Sequence, residues 1–339
     1  MRLLLFGILI FLFIGCVGEA PSEPAKDRLG SIPDNVVKVT PEMDKYPPVL
    51  HSDEFEEPVP FDAVNSAGAE DSPFIPADRD EFYFFFTPDV KVPVEKQILD
   101  GVTGIWVLRM ENGIWQEPER VVLQDHGKLS LDGCEFVHGD MILFCTAREG
   151  YTGLHWGRAD RDGEKWKNWR IDDFPEEYEV GELHIVGDEL YYHSGKDGGK
   201  GGYDIWVSKN VDGAWQEPEN IEVVNTGETD GWPYVTPDRN ELWFTRTHMG
   251  SPGIFRSEKV GGKWQEPELI ISQFAGEPTF DKEGNLYFVH HYYDDGEMLE
   301  ADIYVAYKKY EGPRPRIELG PRGPQPLALP LRYRGHMTS

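Results

Sequence analysis

A repeat of about 50 residues restricts the fold of this chain more than any other feature of its sequence. One series of tryptophans follows this interval, at Trp115, Trp166, Trp215 and Trp264. A second series of aromatic residues follows the same interval, at Trp106, Trp156, Trp206, Phe255 and Tyr304. Because two separate series share one period, the sequence predicts successive copies of a single structural unit.

Each copy contains the signals of four short β-strands. Pairs of turn-forming residues separate the two aromatic series, at Asn112-Gly113, Asp162-Gly163, Asp212-Gly213 and Gly261-Gly262. Such pairs accept the positive φ angles of tight hairpin turns. Apolar runs such as FYFFF from Phe82 precede each hairpin, and a shorter strand precedes each run. Four antiparallel strands at this period are typical of propeller blades, so we predict an all-β, five-bladed β-propeller.

The two ends of the repeat region complement each other. The fifth unit ends near Tyr310 without an outermost strand, whereas the segment FEEPVP from Phe55 matches WQEPEN from Trp215. We therefore predict that an N-terminal strand at residues 55–60 completes the last blade and closes the ring, which removes exposed sheet edges. The propeller domain is accordingly assigned to residues 55–310.

The repeat also resembles a known family. The segments DIWVSKNVDGAWQEPENI from Asp204, PYVTPDRNELWF from Pro233 and EPTFDKEGNLYF from Glu277 are similar to the TolB-type, WD-like β-propeller repeat. Blade 2 departs from this pattern, with KWKNW from Lys165 in place of WQEP. The resemblance implies an architecture more firmly than an activity, because one fold serves many functions.

A lipoprotein-type export signal is predicted at residues 1–16. The apolar run at residues 3–14 is shorter than the roughly 20 residues that a membrane-spanning helix needs. The sequence Phe13-Ile14-Gly15-Cys16 resembles the end of a lipoprotein signal, in which the cysteine carries the lipid. We therefore expect an extracytoplasmic protein that Cys16 anchors to a membrane. An uncleaved N-terminal anchor is the alternative.

Two segments outside the predicted domain differ from it in composition. Residues 17–54 are rich in proline and acidic residues, which predicts a flexible linker. Residues 311–339 contain five Arg and two Glu among many Pro and Gly residues, which predicts a disordered tail. The net charge of the whole chain is -28, so nucleic acid is not an expected partner.

Two cysteines flank a predicted turn. Cys134 and Cys145 are directly opposite each other if Gly139-Asp140 forms a two-residue hairpin. Cysteines in this arrangement form a disulfide in many exported proteins, although the pair can also remain as free thiols.

Acidic residues occur in or just before the innermost strand of every predicted blade. They are Glu70, Asp71, Glu135, Glu182, Asp230 and Glu277. The innermost strands of a propeller surround its central channel, so we expect these carboxylates to converge at the channel mouth. Three interpretations remain open. The acids accept hydrogen bonds from backbone N–H groups, they bind a divalent cation such as Ca²⁺, or they catalyse a reaction. No other cofactor is expected.

Further polar side chains are predicted at the same mouth. They are Arg148, His184, Trp232, Arg246, His290 and His291. Adjacent residues of a strand face opposite sides, so His290 and His291 cannot both contribute to one metal site.

Five-bladed propellers that resemble arabinanases and invertases hydrolyse glycosidic bonds with acids from different blades. This resemblance implies Asp71, Glu135 and Asp230 as a catalytic trio, although their surroundings lack the motifs of those enzymes. An acid in every blade weakens the case for any particular trio. The sequence therefore favours a binding or scaffolding module, with a glycan, peptide or protein ligand at the channel mouth. Glycoside hydrolysis is the alternative function.

Overall fold

The structure is a computed structural model that describes residues 27–309. The predicted signal at residues 1–16, the predicted lipidation site Cys16 and the tail at residues 311–339 lie outside the described residues. Five antiparallel sheets form a five-bladed β-propeller, which confirms the predicted fold. Within residues 27–309, no helix is long and apolar enough to cross a lipid bilayer.

The strands follow the predicted four-strand unit. Two short strands precede the blades: β1 Val49–Leu50 and β2 Val59–Pro60. Blade 1 comprises β3 Ala69–Phe74, β4 Glu81–Thr87, β5 Gly104–Glu111, β6 Ile114–Trp115 and β7 Glu119–Arg120. Blade 2 comprises β8 Ser130–His138, β9 Met141–Arg148, β10 His155–Asp162 and β11 Lys165–Ile171. Blade 3 comprises β12 Leu183–Val186, β13 Glu189–Ser194, β14 Asp204–Val211, β15 Ala214–Trp215 and β16 Glu219–Asn220.

The last two blades each include a strand from the N-terminal part of the chain. Blade 4 comprises β17 Asp230–Val235, β18 Glu241–His248, β19 Ser251–Val260, β20 Lys263–Trp264 and β21 Glu268–Ser272, to which β1 adds. Blade 5 comprises β22 Ala275–Phe280, β23 Leu286–Asp294 and β24 Glu297–Ala306, to which β2 adds. The helical residues are α1 Val94–Gln97 and the 3₁₀ turns Leu29–Ser31 and Glu176–Tyr178.

The ring closes as predicted. In the antiparallel pair of β2 and β24, Val59 and Pro60 lie opposite Val305 and Tyr304. The outermost strand of blade 5 therefore comes from the start of the domain, which confirms the prediction for residues 55–60. This closure gives β24 a hydrogen-bonded neighbour on both edges.

Aromatic side chains fill the space between blades. At the closure, the Phe61 ring centroid lies 5.1 Å from that of Phe82 in blade 1 and 5.2 Å from that of Tyr287 in blade 5. Phe82 and Tyr287 belong to one cluster of buried apolar residues that spans both blades. Each such side chain contributes about 1.5–3 kcal/mol on burial, so interfaces between blades hold the ring together.

Residues 27–54, here called the strap, differ from the flexible linker that their composition predicts. β1 of the strap pairs with β21 and extends blade 4. Arg28 is buried against Glu70 of blade 1, and Lys38 contacts both Glu300 and Asp302 of blade 5. The polar composition resembles that of a linker, but these residues form ion pairs with partners far away in the sequence, which composition does not reveal.

Candidate functional site

A β-bulge interrupts the innermost strand in four blades. The strand register shifts after Asp71, Gly133, Gly231 and Gly276. The next residue in each case has a φ angle between 48° and 55°, at Ser72, Cys134, Trp232 and Glu277. A bulge redirects the side chains beside it, and a left-handed backbone costs a non-glycine residue about 1–2 kcal/mol. The repeated bulge thus directs side chains towards the channel.

The residue before the bulge lies close to the neighbouring blade. A Cβ atom at Gly231 would lie 3.1 Å from the ring of His193 in blade 3, which favours glycine there. Blade 1 has Asp71 at the corresponding position. Its carboxylate faces His291 of blade 5, with 3.6 Å between Oδ2 and Nε2. Asp71 and His291 are therefore a polar contact across the seam between the first and last blades.

All five blades contribute to a cavity of about 50 Å³ in the central channel, here called the mouth cavity. Its polar wall contains the side chains of Glu135, Glu182 and Glu277. No Lys or Arg among the described residues lines the mouth cavity. The volume is sufficient for a few water molecules or one small chemical group.

Glu135 has the most unusual surroundings of the three glutamates. The residue is 6% exposed, and neither carboxyl oxygen accepts a hydrogen bond from another described residue. Burial raises the pKa of Glu135 well above its usual range. A buried polar group without partners costs about 1–3 kcal/mol, so this side chain lowers the stability of the fold.

The other two glutamates also bind protons more tightly than usual. Burial, followed by the charge of Asp71, raises the pKa of Glu277 well above its usual range. The same two causes raise the pKa of Glu182 to about 7. For Asp71, burial favours the neutral form, but the hydrogen bond and the charge of His291 outweigh it and lower the pKa. These shifts favour the ionised form of Asp71 and the protonated forms of the glutamates, and Glu182 titrates near neutral pH.

Three of the predicted channel acids, Glu70, Asp71 and Asp230, do not line the mouth cavity. Glu70 and Asp230 are both fully buried and form ion pairs with Arg28 and Arg246, respectively. Asp230 also accepts hydrogen bonds from the backbone N–H and the hydroxyl of Thr226, at 2.7 and 2.8 Å. Despite Arg28, burial raises the pKa of Glu70 to about 7. The prediction of a trio that includes Asp230 is therefore wrong in its geometry, because that carboxylate has structural partners.

The two arginines predicted at the mouth also have structural roles. Arg148 pairs with Asp132 at 2.8 Å, and Arg246 pairs with Asp230. Neither arginine lines the mouth cavity. The sequence analysis did not identify Asp132, which is fully buried and precedes the glycine of blade 2 as Asp230 does in blade 4. Comparison of the inner strands residue by residue would have found it.

His290 was predicted at the mouth, but the structure directs it away from the channel. Its Nε2 atom lies 2.8 Å from Oδ2 of Asp44 in the strap, and both side chains are almost fully buried. Its neighbour His291 contacts Asp71 instead. The alternation of side chains along β23 gives the two histidines different partners, and neither of them lines the mouth cavity.

Trp232 lines the mouth cavity, as predicted, and belongs to a group of three aromatic rings. The ring centroid of His193 lies 4.9 Å from that of Trp232 and 4.7 Å from that of Tyr203. A hydrogen bond from the Trp232 side chain to Glu182 lowers the pKa of that carboxyl, against the larger effect of burial. Burial lowers the pKa of His193 to about 4, so its ring is neutral at pH 7. The sequence analysis did not identify His193 or Tyr203.

Aromatic residues separate the mouth cavity from a second cavity of about 240 Å³. Phe74, His184 and Tyr234 line both cavities. The second cavity is otherwise mainly apolar, with Phe136 and Val186 among its walls. Burial lowers the pKa of His184 to about 3, so this partition is uncharged at neutral pH. The carboxyl groups of the three glutamates therefore lie on the mouth side of this partition.

Cys134 and Cys145 form a disulfide, with their Cα atoms 5.4 Å apart. The predicted register holds near the turn, where Phe136 lies opposite Leu143, but the bulge shifts it, so that Gly133 lies opposite Cys145. The disulfide therefore fixes the backbone of blade 2 directly beside Glu135.

The arrangement of acids does not form a preorganised metal centre. Among residues 27–309, no group of three or more His, Cys, Asp or Glu side chains is positioned to hold one metal ion. The three glutamates share a cavity but not a common coordination point. The predicted Ca²⁺ stays a prediction.

Known proteins show only remote similarity to this chain. No protein-family model and no curated protein matches the chain. Among solved structures, TolB from Acinetobacter baumannii is similar, with 11% identity, a TM-score of 0.42 and coverage of 74% of this chain. The chain spans 57% of the length of that TolB chain.

Two other solved structures match about three quarters of the chain. An endo-arabinase from Bacteroides thetaiotaomicron has 13% identity and a TM-score of 0.45, with 75% of this chain and 97% of that chain covered. A gluconolactonase from Xanthomonas campestris has 13% identity and a TM-score of 0.41, with 78% of this chain and 95% of that chain covered. Similarity at this level concerns architecture and does not extend to activity.

Proposed function

We propose that this protein is an extracytoplasmic, lipid-anchored binding module whose ligand inserts a positively charged group into the mouth cavity. The ligand belongs to a peptide, a protein or a glycan. The observation that carries the proposal is the buried carboxyl of Glu135, which faces the cavity and accepts no hydrogen bond from another described residue.

Charge compensation is the physical reason. Glu182 and Glu277 line the same cavity as Glu135, and no described Lys or Arg does so. Buried carboxylates become stable when a cation or hydrogen-bond donors approach them. A ligand that supplies both would recover the free energy that burial of the unpartnered Glu135 carboxyl costs. Ca²⁺ is one such cation, and an organic cation is another.

The size of the site suits the binding of one charged group better than it suits the hydrolysis of a sugar substrate. Pockets for small-molecule ligands usually measure about 300–1,000 Å³, whereas the mouth cavity measures about 50 Å³. A sugar ring therefore does not fit inside it, although one charged group of a larger ligand does.

The alternative function is glycoside hydrolysis, and one observation favours it. The pKa of Asp71 is lowered while that of Glu135 is raised, and such a pair can serve as base or nucleophile and as acid. Turnover of arabino-, fructo- and xylo-oligosaccharides is the test. Turnover that disappears in Asp71→Asn and in Glu135→Gln, both still folded, would establish the enzyme and reject the binding module.

The binding proposal is tested by ligand-induced stabilisation. Full-length protein with Cys16→Ser, which removes the predicted lipid site, is melted with increasing Ca²⁺ and, separately, with increasing methylammonium. A cation that binds only the folded state raises Tm with concentration. Glu135→Gln should remove the effect, and the exposed Glu217→Gln is the matched control. An unchanged Tm with every cation would reject the proposal.

The predicted anchor is tested on the mature protein. Mass spectrometry of its N-terminal peptide should show lipid on Cys16. An unmodified cysteine, or an N-terminus at another residue, would contradict the anchor without affecting the proposal for the mouth cavity.

A further inference from the structure

Aromatic side chains line the same cavity as the glutamates. Phe74, Trp232 and Tyr234 come from blades 1 and 4, and Glu135, Glu182 and Glu277 come from blades 2, 3 and 5. The rings and carboxyls therefore surround one small volume from different directions. Prolines beside the bulges in three blades, at Pro73, Pro233 and Pro278, add further apolar surface.

This combination of surfaces distinguishes between kinds of cation. A Ca²⁺ ion that binds directly to protein requires several oxygen ligands around one point, and the described residues contain no group of three or more His, Cys, Asp or Glu side chains placed in this way. An organic ammonium ion is larger, is attracted to aromatic rings through cation–π interactions and pairs with a carboxylate through its charge. The mouth cavity, with about 50 Å³ and both types of wall, has the properties that suit an ammonium group.

Trp232 is held in position by its surroundings. Its φ angle of 52° is unfavourable for a tryptophan, so the contacts around it must compensate. His193 packs against the ring, and its Nδ1 atom lies 3.2 Å from the backbone nitrogen of Trp232. Tyr203, which is 44% exposed, packs against His193, and its ring centroid lies 6.3 Å from that of Trp232. The same left-handed bulge recurs in four blades, and in blade 4 it places a tryptophan in the wall of the mouth cavity.

We infer that the mouth cavity is a cage for an organic ammonium group, in which Trp232 supplies aromatic surface and Glu135 and Glu182 supply negative charge. This inference rests on the proposed function and narrows its ligand class from cations in general to primary or methylated ammonium groups. A lysine side chain, a methylated lysine and an amine on a glycan all present this chemistry.

The experiment compares ammonium ions with Ca²⁺ and with an uncharged alcohol. Full-length protein with Cys16→Ser is titrated calorimetrically with methylammonium, dimethylammonium, tetramethylammonium, CaCl₂ and tert-butanol. We expect at least one ammonium ion to bind at least tenfold more tightly than Ca²⁺ and tert-butanol. The size of the ammonium ion at which affinity begins to fall along the methylated series would show how large a group the cavity accepts.

Variants then separate aromatic from electrostatic recognition. Trp232→Leu should weaken ammonium binding about tenfold, because cation–π attraction in a desolvated site is lost. Trp232→Phe retains a ring and should bind within about threefold of the wild type. Trp264→Leu, in the outer hairpin of the same blade, is the matched control and should leave affinity unchanged. Glu182→Gln keeps the shape of the site and should also weaken binding. It provides the test if Trp232→Leu proves too unstable to measure.

The outcomes distinguish the inference from the function on which it rests. Binding of Ca²⁺ that depends on Glu135, with no binding of ammonium ions, would overturn the ammonium cage and leave the proposed cation-binding function intact. Ammonium binding that is equally tight in Trp232→Leu and Glu182→Gln would also overturn the cage. Failure of every cation to bind would reject both.

Discussion

Two groups of carboxylates lie within a few residues of each other on the inner strands, yet their surroundings are opposite. Asp132 and Asp230 precede the bulges of blades 2 and 4, are fully buried and pair with Arg148 and Arg246. Glu135 lies within the bulge of blade 2, and its oxygens have no partner among other described residues. The acids of the two groups are similar in residue type and burial, so the difference between the groups is the presence of a partner arginine.

The comparison explains how one repeat supports both structure and binding. A buried ion pair is costly to break once its partner arginine is also buried. A buried carboxyl without a partner is costly to keep and gains from any cation that arrives. A structural acid and a candidate binding acid are therefore only two or three residues apart along a bulged strand.

The largest effect is expected when a structural pair loses its charge. Asp230→Asn should lower the free energy of unfolding by about 3–5 kcal/mol at pH 7, because Arg246 stays buried without a counterion. Urea denaturation measures the change, with the exposed Asp197→Asn as the control. Wild-type stability in Asp230→Asn would remove the distinction between the two groups of acids.

The disulfide beside the bulge should have the next largest effect. Cys134 and Cys145 are separated by 11 residues in sequence, and a loop of this length predicts a loss of about 3 kcal/mol when both are replaced by serine. This loss of stability should be accompanied by a smaller cation-induced increase in Tm, because the disulfide holds the backbone next to Glu135. Thermal melts of Cys134→Ser/Cys145→Ser and of reduced wild type should agree, and a normal cation response in both would show that Glu135 is positioned without the disulfide.

Neutralising a binding acid should have the opposite sign. Burial raises the pKa of Glu135 in the folded state, so the folded wild type loses stability as pH rises above the unfolded pKa of about 4.3. Glu135→Gln should therefore be more stable than wild type by about 1–3 kcal/mol at pH 8, with the gain disappearing near pH 4. Denaturation at both pH values tests this, and a variant less stable than wild type at pH 8 would mean that Glu135 has a stabilising partner.

The smallest effect concerns the pH dependence of ligand binding. The pKa of Glu182 is about 7, so cation binding, which favours the ionised form, should release a proton near neutral pH. Affinity for the bound cation should rise up to about tenfold between pH 6 and pH 8. Glu182→Gln should flatten this rise, whereas the exposed Glu217→Gln should retain it. Calorimetric titrations at the two pH values make the measurement, and an unchanged rise in Glu182→Gln would assign the proton to another group.

The sequence alone determined the ring. The interval between aromatic residues, the turn pairs and the match of FEEPVP from Phe55 to WQEPEN from Trp215 are local patterns, and each copy of the unit repeats them. Their consequences, five blades and a closure by residues 59–60, follow from alternation along strands and from the need to pair sheet edges. Sequence analysis also gathered Glu135, Glu182, Glu277 and Trp232 into one site, because they occupy similar positions in different copies.

Only the tertiary structure decided which of the buried acids have a structural partner. The partners of Glu70 and His290, namely Arg28 and Asp44, come from the strap, which the composition had predicted to be a linker. Asp230 obtains Arg246 through the pairing of β17 with β18. The physical reason is that the charge state and role of a buried carboxyl depend on the groups within a few ångströms, and those groups are distant in sequence. Periodicity predicts where a side chain lies in its own repeat, but only the closed ring and the strap show what it meets there.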